Sequence, residues 1–205
     1  MHKTHRARTE AGKFLTALMQ IQVGQATMHQ VRPLVREWGG KWRAARTSSR
    51  SPCGGGASVV DFIFDNRWAH WFLFAPLTSF DADLYVKENS VCFRSVELVT
   101  MAGHSASAAY VSESRKSPLP VPFSVSLNPA NSGVAMDAGA TPQERTAAYA
   151  INLDCLTKLR GCRDTREMAP AMWEIAPTVR AVSGDSTGDR ARSRDRAQRK
   201  AMTVR

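Results

Sequence analysis

The 205 residues contain no apolar run approaching the ~18 residues that a membrane-spanning helix needs, so the chain as written carries no such span. No two of the four cysteines stand two residues apart, the spacing with which short loops wrap a zinc ion, and the histidines do not supply the missing half of such a site. A phosphate-cradling glycine loop is also absent. The five histidines are His2, His5, His29, His70 and His104, so none follows position 104. These absences argue against a structural metal and a nucleotide cofactor, and neither is expected.

What is abundant is positive charge, and it is unevenly placed. The formal charge is +10, but residues 1–50 carry +8, residues 184–205 carry +4, and residues 51–183 carry −2. The nucleic-acid reading that a basic chain invites therefore concerns only the two ends. The terminal stretch from Arg190 to Arg205 is diluted by Asp195 and by Asp185 and Asp189 just ahead of it and offers no aromatic ring for base stacking, so it reads as a solvated extension. With almost no large apolar group from Ser183 onward, that tail cannot offset its ordering entropy. The expected organisation is a basic segment over 1–8, a single domain over 9–176 and a disordered basic tail over 177–205.

Periodicity supplies the elements. Phe14, Leu18 and Ile21 fall at helical spacing, which predicts an amphipathic helix from about Thr9 to Val23 rather than an export signal, with Gly24 as its stop. Thr27 and Gln30 have capping-box spacing. Met28, Val31, Leu34, Val35 and Trp38 follow on one face until Gly39-Gly40, so two helices should form an αα-hairpin. The Arg-, Ser- and Gly-rich stretch 41–57 reads as a loop. Strands are expected at Val59–Phe64, His70–Phe74, Leu84–Lys87 and Val91–Met101, and at the alternating Val121, Phe123, Val125 and Leu127, with Pro122 placing the last at an edge or bulge. Thr141-Pro142-Gln143-Glu144 combines N-cap, N1 proline and capping box, which predicts a helix from Pro142 to Leu159 closed by Gly161. Asp164 with Glu167 opens a last short helix ending near Trp173. The fold class expected is α+β: an N-terminal αα-hairpin and a C-terminal helix packed on an antiparallel sheet of about four strands.

Four constellations could carry chemistry. Gly103-His104-Ser105-Ala106-Ser107 follows an apolar run and precedes an Ala-rich stretch, the strand–turn–helix setting of a hydrolase nucleophile elbow with Ser105 as nucleophile. The closing glycine is Ser107, however, and no histidine follows to act as base in that fold's chain order. Asp81 and Asp83 share a face if they lie on a strand, where burial could separate their pKa values for acid–base work, but their neighbours Ser79 and Asn89 suggest solvated turns. Trp38 and Trp42 beside Lys41 and Arg43 could form a binding platform or simply pack. Cys155 and Cys162 flank a helix end at which Gly161 can reverse the chain, so a disulfide and a pair of buried thiols both remain open.

The stretch Phe14-Leu15-Thr16-Ala17-Leu18 through Gln22-Val23-Gly24, the run Phe64-Asp65-Asn66-Arg67-Trp68 with Ala75-Pro76-Leu77-Thr78, and Thr141-Pro142 through Asn152-Leu153-Asp154-Cys155-Leu156-Thr157-Lys158-Leu159-Arg160-Gly161-Cys162 resemble a family of small bacterial proteins of uncharacterised function, over roughly residues 10–175. Members often carry an apolar anchor ahead of the first helix and hold the globular part outside the cytoplasm. The resemblance implies no catalytic residues. It implies paired positions at Cys155 and Cys162, and a second cysteine shortly after Cys53 that Ala57-Ser58-Val59 does not supply. Because Met1 opens this chain without the apolar segment, the resemblance implies either a cytoplasmic variant or a start lying further upstream, with an anchored, extracytoplasmic domain. A weaker likeness is topological: Ile21-x-Val23-Gly24-x-x-Thr27-x-x-x-Val31 is similar to the helix–turn–helix opening of small outer-membrane assembly lipoproteins, although their lipid-attachment cysteine has no counterpart here. The resulting expectation is a non-enzymatic interaction or structural module at the bacterial cell envelope with a protein partner. The alternatives are a serine hydrolase using Ser105 and nucleic-acid binding through the basic termini.

Overall fold

The computed structural model describes residues 2–45, 52–115 and 122–175, so the expected tail over 177–205 lies outside the described residues. Helix α1 (His2–Met19) begins ahead of Thr9, taking the basic opening residues into the helix, and stops before Ile21. A short turn leads to α2 (Met28–Trp38), where Thr27 and Gln30 form the capping box and Gly39 ends the helix in the left-handed region at φ 71. The turn between the helices is itself tied to the sheet. Gly24 N–H donates to the Val91 carbonyl at 2.7 Å and Val91 N–H returns to Ala26 at 2.8 Å.

The sheet corrects the expectation most. It has seven strands, not about four, and it is mixed rather than antiparallel. The strands are β1 (Lys41–Ala44), β2 (Ser58–Asp65), β3 (Leu77–Lys87), β4 (Ser90–Ala102), β5 (Ser105–Ser114), β6 (Phe123–Ser126) and β7 (Asn131–Met136), in spatial order β1-β2-β3-β4-β5-β7-β6. The first five form an antiparallel meander, and β7 then lies parallel to β5 with β6 antiparallel on its outer edge. Each missed strand has a compositional reason. β1 lies in the Arg-rich stretch read as a loop, and β5 begins with Ala and Ser residues whose β-propensity is weak. β7 sits inside a segment containing Gly133 and Ser132. Tyr110 of β5 lies across Gly133, where a Cβ would stand 2.0 Å from the ring, so only glycine permits that strand contact.

Two further expectations change. Residues 70–74 are not a strand: they belong to helix α3 (Arg67–Leu73) and its cap. Trp68 stacks on Phe72 at 5.4 Å, the i,i+4 pairing of a helix, while Ala69 faces the core. The predicted long helix from Pro142 is short, α4 (Pro142–Ala148), with the Thr141–Glu144 capping box intact. A 3-10 turn (Leu153–Leu156), α5 (Thr165–Met168) and a helical stretch over 170–175 complete the described residues.

One face of the sheet holds the core. Phe14 of α1 is fully buried, with ring centroids 4.5 Å from Phe62, 5.2 Å from Phe64, 5.5 Å from Trp38 and 6.5 Å from Phe80. On β3, Thr78, Phe80, Ala82, Leu84 and Val86 point to that face, and Ser79, Asp81, Asp83 and Tyr85 point away and stay half-exposed. Two disulfides fasten the periphery: Cys53–Cys92 spans 39 residues with Cα atoms 5.8 Å apart, and Cys155–Cys162 spans seven at 5.3 Å. Gly161, at φ 61, makes the reversal that closes the second one. Chain-entropy reasoning gives the longer loop the larger effect, about 4 kcal/mol against about 2 kcal/mol.

Candidate functional site

Ser105 is the first residue of β5, exposed, and directly follows a hairpin turn at Gly103-His104. A strand follows it, not a helix, so the elbow that would present a nucleophile beside backbone donors is not formed. His70, the remaining histidine near a β-type run, is spent within α3, its Nδ1 lying 2.8 Å from the Ala75 carbonyl. Among the described residues no three metal-ligating side chains gather. Trp38 packs on Phe14, whereas Trp42 on the edge strand β1 remains partly exposed, so the two do not share a platform.

Asp81 and Asp83 do share a face, in mid-strand rather than in turns. Register places Asp61 opposite Asp83 and Glu97 opposite Asp81, so four carboxylates adjoin on the face of β2, β3 and β4 opposite the core. Partial burial raises Asp81 and Glu97, the neighbouring negative charges adding to it. The same causes push Asp83 up to about 7: burial first, then the hydrogen bond to Asp61 and that residue's charge, with Arg43 pulling the other way. Asp61 Oδ1 is buried and finds no donor among the described residues. Arg43 holds the outer oxygen of Asp61 at 2.7 Å. Beside these groups Phe93, Tyr110, Ser95 and Ser112 line a shallow groove of about 390 Å³. The face can receive cationic groups, and its own repulsion makes it proton-dependent.

A second charged cluster lies on the core side, and sequence reasoning missed it. Arg94 of β4 points inward between Leu84 and Glu113 of the flanking strands, and both charged residues are buried. One Arg94 nitrogen donates to the Leu18 and Ile21 carbonyls at the end of α1, where the helix dipole favours a cation. The other pairs with Glu113. Arg145 of α4 also pairs with Glu113, and the Tyr149 hydroxyl donates to it at 3.2 Å. Arg94 covers the Tyr149 ring at 4.6 Å. Burial raises the Tyr149 phenol above its ordinary value, the two guanidiniums opposing that rise. Burial and the Arg94 charge both lower Arg145. The available sequence signal was alternation: Arg94 and Glu113 occupy inward positions of strands whose neighbours Val96, Leu98, Val111 and Ala109 are apolar.

The third feature is α3. Trp71 is 70% exposed, Phe72 67% and Phe74 93%, and Leu73 between them is partly exposed. Phe74 caps the helix at φ 52, a left-handed conformation that costs a bulky side chain about 1–2 kcal/mol. The corner is held by Asn66, which is buried and bonds the Pro76 carbonyl at 3.0 Å and Thr78 N–H at 2.8 Å. Helix α1 packs against α3. Because Leu18 lies level with Arg94 and Phe14 level with Phe62 and Phe64, α1 runs antiparallel to β2. Its first turns, with exposed Lys3 and Arg6, therefore point to the end of the sheet where α3 stands. Trp68 and Phe72 four residues apart behind Asp65-Asn66 were the overlooked helix signal. No helix among the described residues is long and apolar enough to cross a membrane. Comparison with protein-family models, with curated proteins and with solved structures finds no match for this chain.

Proposed function

We infer that the protein is a non-enzymatic interaction module of the bacterial cell envelope, and that its contact surface is the α3 corner seated on a lipid bilayer. The observation that carries this reading is Phe74, which keeps a strained backbone conformation while exposing nearly its whole ring. Strain without packing return points to a role outside the fold. Four consecutive large apolar residues, Trp71-Phe72-Leu73-Phe74, protrude from a short helix. A projecting knob suits a fluid interfacial layer, where Trp and Phe are favoured, better than a rigid complementary surface. Lys3 and Arg6 at the same end add attraction to anionic headgroups, about 1 kcal/mol per basic residue near the surface. The family resemblance supports an envelope setting, and the two disulfides suit an oxidising compartment.

Co-sedimentation of the oxidised protein with vesicles tests the reading. Binding to phosphatidylglycerol-containing vesicles, weaker binding to neutral ones, a blue-shifted Trp emission and loss of all three in a Trp71→Ala/Phe74→Ser double variant are expected. Absence of binding to anionic vesicles at low salt overturns the bilayer assignment, as does equal binding by the double variant.

A further inference from the structure

The charged cluster at the end of α1 opens into a cavity of about 300 Å³, within the size range of small-molecule sites. Its charged lining consists of two guanidiniums, Arg94 and Arg145, and one carboxylate, Glu113. Both Glu113 oxygens are engaged, accepting from Arg94, Arg145 and the Tyr149 hydroxyl. The guanidiniums are not saturated. Arg94 is 3% exposed, yet its Nε–H is buried and finds no acceptor among the described residues. Arg145 spends one N–H on each of the Ala140 and Asp137 carbonyls and one on Glu113, leaving donors on both terminal nitrogens. A site with two positive charges, Arg94 buried and Arg145 partly so, against one buried negative charge is completed by an anion, whose carboxylate geometry matches paired guanidinium N–H groups.

The remaining wall sets the rest of the ligand. Met19, Ile21 and Val23, at and just beyond the end of α1, give the cavity an apolar side, while Gln22 and Gln25 are exposed at its rim. A bare inorganic anion would leave that apolar side wet. We propose that this cavity binds a small monocarboxylate with a short apolar tail. The carboxylate lies between Arg94 and Arg145, and the tail runs along Met19, Ile21 and Val23. The site is on the core face and is independent of the bilayer contact at α3. Because Arg94 also holds the last carbonyls of α1, and Arg145 belongs to α4, an occupied site bridges the two helices across the sheet.

Hexanoate is the probe, titrated calorimetrically into the full-length oxidised protein at neutral pH. A one-to-one isotherm in roughly the millimolar range is expected, the strength that a ligand of so few heavy atoms can reach. Hexylammonium, which has the same tail and the opposite charge, should give no saturable heat, and inorganic phosphate should bind at least several-fold more weakly than hexanoate. Arg94 variants risk losing the fold, so the decisive variants are Arg145→Gln, expected to weaken hexanoate at least tenfold, and Ala138→Trp. Ala138 is an exposed loop residue lining the cavity, and a Trp there should plug it while leaving the thermal midpoint unchanged. The proposal is overturned if hexanoate gives no saturable heat up to tens of millimolar, or if phosphate binds as tightly as hexanoate. It is equally overturned if either variant, folded by near-ultraviolet dichroism, binds hexanoate like the parent.

Discussion

The two faces of the sheet treat negative charge in opposite ways. On the covered face a single carboxylate, Glu113, is buried at 3% exposure with two guanidiniums and a phenol around it. On the open face four carboxylates adjoin, with Arg43 the cation that pairs with one of them. On the covered face the carboxylate is paired from both sides, because burying it alone would cost several kcal/mol. The open face tolerates repulsion because water screens part of it and because Asp83 can hold a proton near neutrality. Pairing therefore rigidifies one face, and protonation adjusts the other.

The comparison can be broken first at its apolar foundation. Replacing Phe14 by Ala removes the ring around which Phe62, Phe64, Phe80 and Trp38 meet, and should cost about 3–5 kcal/mol in urea unfolding. Next, Glu113→Gln leaves Arg94 and Arg145 facing each other in a buried site, with an expected loss of about 3 kcal/mol and a lower urea midpoint.

The open face should respond with the opposite sign. Asp83→Asn removes a like-charge cross-strand contact with Asp61 and should stabilise the protein at pH 7 by about 0.5–1 kcal/mol. Asp83 is raised from 3.8 to about 7 on folding, so the folded chain retains a proton that the unfolded chain has released. Its contribution is thus fully present below about pH 4 and is lost as pH rises towards 7. Thermal midpoints of the parent should fall over that window relative to those of Asp83→Asn; parallel profiles for the two proteins would remove Asp83 from the explanation.

The smallest effect is expected at the corner that belongs to neither face. Phe74→Gly relieves a positive φ and removes no packing, so stability should stay level or rise by up to about 1 kcal/mol. Vesicle binding should nonetheless drop, which separates the corner's role from the fold's.

Much of the helical layer was legible in the sequence because capping is local. Thr27 with Gln30, Gly39, and Thr141-Pro142 with Glu144 act where the three-residue cap spacing and the glycine placed them. Strands β2 and β4 were legible from their apolar runs. Asp81 and Asp83 concealed β3, whose alternation is complete from Thr78 to Val86; aspartate reads as a turn residue unless one face of the strand is known to be wet. The Ala- and Ser-rich β5 looked like the helix of an elbow, and the aromatic α3 looked like a strand, because short apolar runs lack a decisive period. Of the candidate residues, the Asp81–Asp83 face was visible in outline, whereas Arg94, Glu113 and Arg145 lie too far apart in the chain to suggest a cluster.

By itself, then, the sequence determined what a handful of neighbouring residues can decide: the caps at Thr27, Gly39 and Thr141, the reversal at Gly161, and the segregation of positive charge to the two ends. Tertiary structure alone decided partners. Cys53 meets Cys92 across 39 residues, β7 pairs in parallel with β5, and Glu113 receives Arg94 from one side and Arg145 from the other. The physical reason is that capping and turn formation balance energies within one or two turns of chain. A sheet's register brings distant residues together only after every strand has found its neighbour.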